Sequence, residues 1–221
     1  VELVTEVKEV AEIRTELISD RVKIEQKSVL DIDDNLMFDK IFCDYPWGIR
    51  AKESIGNNEE LEAIYNVIPE VQKAAVGDWV FIINVINHLN KNGKAVVSVS
   101  NGVTWNGGVN KVIREKFVKK GFVEAVIALP SNLYLNTGIA CSLLVLSRKN
   151  KNIRMIDATE MVSVGRRQNV LSDENISKII ELLNTNDDNS KLVSVEEVAK
   201  NEYILNPSRY LQKEMVIKNG V

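Results

Sequence analysis

The stretch Phe38-Asp39-Lys40-Ile41-Phe42-Cys43-Asp44-Tyr45-Pro46-Trp47-Gly48 decides how the chain is read. An apolar run ends there in a carboxylate, a proline, an aromatic and the first glycine of the whole sequence. A buried parallel strand has this pattern when it delivers a polar group to the C-terminal edge of a sheet, where open α/β folds bind their ligands. Asp44 is the group so delivered. Behind it, residues 48–60 hold Gly48, Gly56 and Asn57-Asn58-Glu59-Glu60, which read as a polar loop directly after the candidate catalytic strand.

The elements on either side can be placed from this strand outward. Upstream, residues 3–19 read as a helix, with Val4, Val7, Ala11 and Leu17-Ile18 on one stripe. Val22-Lys23-Ile24-Glu25 alternates like a half-buried strand, and 28–36 is a loop rich in aspartate. Downstream, residues 70–90 carry Ala74-Ala75, Trp79, Ile82-Ile83, Ile86 and Leu89 at helical spacing, with Gly93 as the expected left-handed cap. Strands follow at 95–99, 123–129, 140–146 and 153–156, and a helix at 109–120 closes on Gly121. Alternating strands and helices imply a mostly parallel sheet with crossover helices. The helix-free connection from Pro130 to Gly138 permits an antiparallel last strand. In the tail, a helix at 173–184 is capped by Ser172 or Asp173, and 184–190 reads as a polar linker. Ser194-Val195-Glu196-Glu197 then opens a short helix as a capping box.

Composition bounds the function. At 221 residues and 45% hydrophobic, the chain has room for one full-size domain and a small appendage. A net charge of -3 gives no global basic field, so any nucleic acid would need a partner or a local patch for its phosphates. Cys43 and Cys141 lie in apolar runs and read as buried free thiols, which fits a reducing, cytoplasmic compartment. No apolar run reaches the roughly 18 residues of a membrane span. The start, Val1-Glu2-Leu3, has neither a basic n-region nor a Met, so the chain is expected to begin inside a longer natural sequence. His88 is the sole histidine and sits in an apolar helical run, which reads as structural and leaves no His-based metal site; no metal is expected.

Taken in order, these landmarks resemble the modification (M) subunits of type I restriction–modification systems. The resemblance covers nearly the whole chain. It rests on Phe38-Asp39-Lys40-Ile41 leading into Asp44-Tyr45-Pro46-Trp47-Gly48, on His88-Leu89 with Gly93-Lys94-Ala95, and on Ser100-Asn101-Gly102-Val103. It continues through Ile113-Arg114, Ala125 to Pro130, Thr137-Gly138-Ile139, Asp157-Ala158, Gln168-Asn169 and Asn201 to Tyr210. The order and spacing of the set make it specific. The resemblance implies a class I methyltransferase (Rossmann-like) sheet, N-terminally truncated, over residues 1–160, with a small helical C-terminal extension at 161–221. It also implies an S-adenosylmethionine-dependent methyltransferase acting on adenine N6 in DNA. The implied partners are DNA, a specificity subunit, a second M subunit and a restriction subunit.

The chemistry explains why such residues suit the task. The exocyclic amine of adenine is a poor nucleophile because its lone pair is delocalised into the ring. Two acceptors that take its protons let the nitrogen become tetrahedral and offer that pair. By resemblance these are Asp44 and the carbonyl of Tyr45, with Pro46 shaping the turn and Trp47 stacking a base flipped out of the duplex. Two departures stand out. Asp44 replaces an Asn, with no loss of acceptor capacity, and Tyr45 replaces a proline, which is expected to loosen the loop.

One part of the family pattern has no counterpart. A glycine-rich turn after the first strand should cradle the cofactor, yet no glycine occurs before Gly48, and Gly107-Gly108 lies in no G-x-G-x-x-G frame. The acid that binds the ribose in the family aligns with Glu2, which on its own chemistry reads first as a solvated helix-end glutamate. Weak or no S-adenosylmethionine binding by this polypeptide is therefore expected. The strand at 40–44 is expected to expose an edge and apolar surface where the family's first strand would lie.

Other candidates keep two readings each. Asn101-Gly102 is a strand-end turn at the same sheet edge as Asp44 or part of a substrate loop. Arg166 and Arg167, in the compact basic loop Gly165 to Asn169, are solvated or touch DNA phosphates. Lys111, Arg114, Lys116, Lys119 and Lys120 line a helix face that is solvated or lies on DNA. Asp157 reads as structural. For the chain as a whole, the alternatives to DNA adenine methylation are a non-catalytic module, with residues 158–221 docking on a specificity subunit, and a methyltransferase acting on RNA or protein.

Overall fold

The computed structural model describes residues 4–17, 21–33, 35–50, 62–74, 77–135 and 137–211. Six strands form one mixed sheet: β1 (Phe38–Cys43), β2 (Leu89–Ser100), β3 (Val123–Ala128), β4 (Cys141–Leu146), β5 (Asn152–Asp157) and β6 (Ser190–Ser194). Their spatial order is β1-β2-β4-β3-β5-β6. The β1/β2 and β3/β5 pairs are parallel, and β4 is antiparallel to both β2 and β3, as β6 is to β5. Helices α1 (Thr5–Glu16), α2 (Glu62–Val67), α3 (Asp78–Asn87), α4 (Asn101–Trp105), α5 (Val109–Lys119), α6 (Asp173–Leu182) and α7 (Val195–Lys200) complete the α/β architecture.

The core follows from strand alternation. Ala95, Val97 and Val99 of β2 join Leu144 and Leu146 of β4 on one face, where α3 and α5 bring Trp79, Ile83, Ile86, Ile113 and Phe117. The other face gathers Ala125, Ile127, Cys141 and Val145 against Ile179 and Leu182 of α6. Helix α3 is buried from Trp79 to Ile86, which is why its sequence is apolar all round.

Several sequence expectations change. The antiparallel strand is expected last, but β4 lies between β2 and β3, because a helix-free connection lets the chain fold straight back beside β3. The segment after the polar linker adds a further antiparallel strand, β6, at the sheet's far edge, so the C-terminal extension shares the sheet through β5. Val22 to Glu25 forms no strand; Lys23 and Lys27 instead pair with Glu25. The 70–90 stretch divides into a 3-10 turn, Pro69–Lys73, and α3. Gly93 is no helix cap: it lies inside β2, where a Cβ would come within 2.8 Å of Leu89 Cδ1 and 3.0 Å of the Phe38 carbonyl oxygen. The cap expected at Gly121 is present, with φ 71°.

Helix α1 forms as expected, but its apolar stripe is not buried: Val4, Val7 and Leu17 are exposed among the described residues. At the other end of the chain, residues 201–210 are tied to the core. Leu205 N–H donates to the Thr104 carbonyl at 2.8 Å, and the buried Arg114 guanidinium donates to the carbonyls of Tyr203 (2.6 Å), Asn106 (2.9 Å) and Val103 (3.3 Å). The helix face read as solvated or DNA-facing is thus largely engaged within the fold. Arg114 is a core residue, Lys111 pairs with Glu202, Lys116 with Glu70 and Lys119 with Glu115.

Candidate active site

β1 runs parallel to β2 at the sheet edge and ends at Cys43, opposite Val97. Asp44 therefore emerges, exposed, at the C-terminal end of the strand. The next three residues alternate: Tyr45 is buried, Pro46 exposed and Trp47 half-buried. Tyr45 turns inward and stacks on Phe81 of α3, with ring centroids 4.9 Å apart and planes 8° from parallel. Its hydroxyl is buried and faces Asp78 without a hydrogen bond of good geometry. Asp78 accepts the Gly48 N–H at 3.2 Å, and Gly77 N–H donates to the Ile49 carbonyl at 2.8 Å, so the residues just after the tetrad are fastened to the start of α3. The expectation that Tyr45 loosens this loop is met by the opposite arrangement: the ring stack supplies the constraint that the absent proline ring does not.

Trp47 is held from the other side. Its indole N–H donates to the Ser98 carbonyl of β2 at 3.1 Å, and its ring meets that of Tyr134 edge-on, at 4.9 Å and 73°. The Tyr134 hydroxyl donates to Asp44 Oδ1 at 3.1 Å and lies 2.8 Å from the Ser98 hydroxyl. Asp44, Trp47, Ser98 and Tyr134 thus converge on one side of the sheet's C-terminal edge. Neither Ser98 nor Tyr134 stands out in the sequence. The available signal was topological, since the β3–β4 connection carrying Tyr134 must pass the same edge as Asp44.

That connection is itself braced. Asn169 donates from its backbone to the Asn132 carbonyl (2.8 Å) and from its side chain to the Ser131 carbonyl (2.9 Å), and Gln168 donates to the Leu133 carbonyl (3.3 Å). Gln168 and Asn169 belong to a turn closed by the Ser163–Val170 bridge. Arg166 and Arg167 sit exposed at the tip of that turn, one loop away from Tyr134. Asn101 is placed elsewhere. Its Oδ1 accepts from the Ser142 hydroxyl at 3.0 Å, and Ser142 pairs with Val99, on the sheet face opposite Ser98. There it borders a cleft of about 290 Å³ with Thr104, Asp157 and Asn206. The structure therefore brings Asn101 to the same edge as Asp44 but not to the same face. Glu2 lies outside the described residues, as do residues 51–60 of the loop behind Gly48.

The neighbouring groups are not reactive ones. Burial, with the Asp44 charge adding to it, pushes both the Cys43 and the Cys141 thiols up to about 11, so neither is a nucleophile at neutral pH. His88 is buried, with Nδ1 2.8 Å from the Leu36 carbonyl, as a structural histidine should be. The Asp157 carboxylate accepts from the N–H and hydroxyl of Thr159.

An exposed carboxylate thus stands at the end of a strand with an aromatic pinned beside it. The N-6 DNA Methylase family model matches residues 12–219. The chain belongs to this family. A Methanocaldococcus jannaschii protein, the type I restriction enzyme MjaVIII methylase subunit, is 31% identical over 186 residues, covering 78% of this N-6 DNA methylase chain and 32% of its own. The MpnII methylase subunit of Mycoplasma pneumoniae is 32% identical over 143 residues, covering 62% and 26%. Among solved structures, the type I restriction–modification methyltransferase subunit of Streptococcus thermophilus superposes with a TM-score of 0.79 at 25% identity, over 96% of this chain and 47% of that one. The chain thus spans about a quarter to a third of the length of the curated relatives it matches and about half of that solved structure.

The family's cofactor needs a glycine-rich cradle. Among the described residues the glycines with positive φ are Gly48, in the loop behind Asp44, Gly108, before α5, and Gly121, after it. None follows a strand as the opening of a glycine-rich turn, so no cradle for S-adenosylmethionine is present among the described residues.

Proposed function

We propose that this chain is the adenine-receiving part of a type I modification subunit that methylates adenine N6 in DNA, with Asp44, Tyr45, Pro46 and Trp47 as its catalytic loop. The observation that supports this most is the exposed Asp44 carboxylate at the end of β1, beside a Trp47 whose indole is fixed by the Ser98 carbonyl. Asp44 accepts one proton of the target amine and the Tyr45 carbonyl the other. The amine nitrogen then becomes tetrahedral and its lone pair is freed. Pro46 fixes the turn between them, and Trp47 offers a rigid aromatic face to a base that has left the duplex. S-adenosylmethionine, when bound to the longer protein, supplies the electrophilic methyl group. Residues 1–160 form the C-terminal part of the catalytic domain, and 161–221 an extension. Residues 1–221 alone are inactive because no cofactor cradle lies among the described residues.

Arg166 and Arg167 contribute phosphate contacts beside the flipped base, consistent with their exposed turn and its brace on the Tyr134 loop. Because the net charge is -3, sequence reading and most of the affinity fall to a specificity subunit, in an assembly with a second M subunit and a restriction subunit. The assembly works in the cytoplasm. Among the described residues no helix is long and apolar enough to cross a membrane. The test is methylation of target DNA by the full-length subunit with its specificity partner. Asp44→Ala is expected to lower the rate by about 100-fold or more. Full activity in that variant would overturn the assignment.

A further inference from the structure

Ser98 is buried in β2, and among the described residues the sole partner of its hydroxyl is Tyr134. Each of these hydroxyls has one proton to give. A buried hydroxyl proton left without an acceptor costs about 1–3 kcal/mol, so the Ser98 proton goes to the Tyr134 oxygen. The Tyr134 proton is then committed outward, to Oδ1 of Asp44 at 3.1 Å. The direction of this relay requires a group at position 44 that can accept. A carboxylate meets that need with one oxygen and keeps the other free. An amide has a single oxygen. If that oxygen takes the Tyr134 proton, the –NH2 group turns toward the target amine, where it is a donor facing donors. If it turns instead to the target, the –NH2 faces Tyr134, the relay reverses and the buried Ser98 proton is left unpaired.

We propose that Tyr134, oriented by Ser98, is a positioning residue that engages Asp44 Oδ1, leaves Oδ2 for the target amine, and makes a carboxylate rather than an amide the working group at position 44. The role presupposes the adenine-receiving site proposed above. The brace of Gln168 and Asn169 on residues 131–133 belongs to the same device, because it fixes the backbone that carries the Tyr134 ring. The ring keeps its edge contact with Trp47 whether or not the hydroxyl is present. Tyr134→Phe therefore removes the relay, leaves the ring contact in place, and costs the buried Ser98 hydroxyl its acceptor.

The experiment is a double-mutant cycle in the full-length subunit with its specificity partner, measuring kcat and the KM for DNA of the parent, Y134F, D44N and Y134F/D44N, with D44A as reference. Y134F is expected to lower kcat about 10-fold while KM for DNA changes less than about twofold, since a merely structural defect would raise KM as well. D44N is expected to lose about 30-fold or more when Tyr134 is intact and only a few-fold when it is added to Y134F, where the amide oxygen is no longer recruited away from the target. Unchanged kcat in Y134F, or D44N and Y134F losses that simply multiply, overturns the relay. If D44A is inactive while either of those results is found, the adenine site stands and only the role of Tyr134 falls. If D44A is fully active, both fall.

Discussion

The ring of Tyr45 lies against that of Phe81, centroids 4.9 Å apart and nearly parallel, and this contact anchors the candidate catalytic loop to α3. It replaces a covalent constraint with a packing one. The loop that presents Asp44 and Trp47 therefore owes part of its rigidity to its seat on the helix.

Tyr45→Ala should then cost about 3–5 kcal/mol of stability, as large buried aromatic truncations do. Tyr45→Phe keeps the stack and removes a buried hydroxyl that lacks a well-formed hydrogen bond. It is expected to raise stability by up to about 1 kcal/mol. Urea denaturation of the two variants checks both, and a Phe variant as unstable as the Ala variant would show that the hydroxyl, not the ring, is the anchor.

Asp78 should make this anchoring pH-dependent. Burial raises its carboxyl above the ordinary aspartate value, although the Gly48 N–H and the Tyr45 hydroxyl pull the other way. The native state therefore takes up that proton at higher pH than the unfolded chain. The stability contribution falls as pH rises through the window between the two values and stays low above it. Asp78→Asn removes the cost, so the variant is expected to be more stable than the parent at pH 7. The difference should close as pH falls toward the unfolded value of about 4. Denaturation midpoints of the pair measured from pH 4 to 8 give the result, and a gap that widens on acidification reverses the sign.

Arg114 is a stability prediction of another kind. Its guanidinium bridges three carbonyls from α4, the turn after it and the tail, and burial, the dominant influence, lowers its pKa to about 10. Arg114→Ala leaves those acceptors unpaired and should cost about 3–5 kcal/mol. Arg114→Lys cannot span the three positions and should recover less than half of that. Hydrogen exchange at Leu205, whose N–H bonds Thr104 beside this cluster, should accelerate in both variants.

The β1 edge carries Phe42, 71% exposed among the described residues, on a strand with no partner on its outer side among them. Such an edge templates strand pairing. The polypeptide of residues 1–221 is expected to self-associate, and Phe42→Lys to reduce this in sedimentation experiments without lowering the unfolding midpoint.

Residues 1–221 are also expected to show no micromolar affinity for S-adenosylmethionine in titration calorimetry. No glycine-rich turn follows a strand among the described residues. Micromolar binding would mean that the cofactor is held by some other arrangement.

The sequence by itself determined the strand that delivers Asp44, the helices at 109–120 and 173–184, the free thiols, of which Cys141 is buried and Cys43 half-buried, and the structural His88. These are local matters: apolar periodicity, glycine at a left-handed cap and serine at an N-cap act over a few residues, and the chain records them directly. Family membership was legible for a related reason, since it resides in ordered short motifs. Only the tertiary structure decided that β4 inserts between β2 and β3, that β6 joins the sheet, that Gly93 packs against Leu89 and Phe38, and that Arg114 is internal. It alone decided, too, that Asn101 opens on the face away from Asp44. Most consequentially, it brought Tyr134 to Asp44 across 90 residues of chain and set Ser98 beneath both Tyr134 and Trp47. Strand pairing and loop closure fix such relationships through contacts between distant segments, and neither the spacing nor the identity of any one of those residues announces its partner.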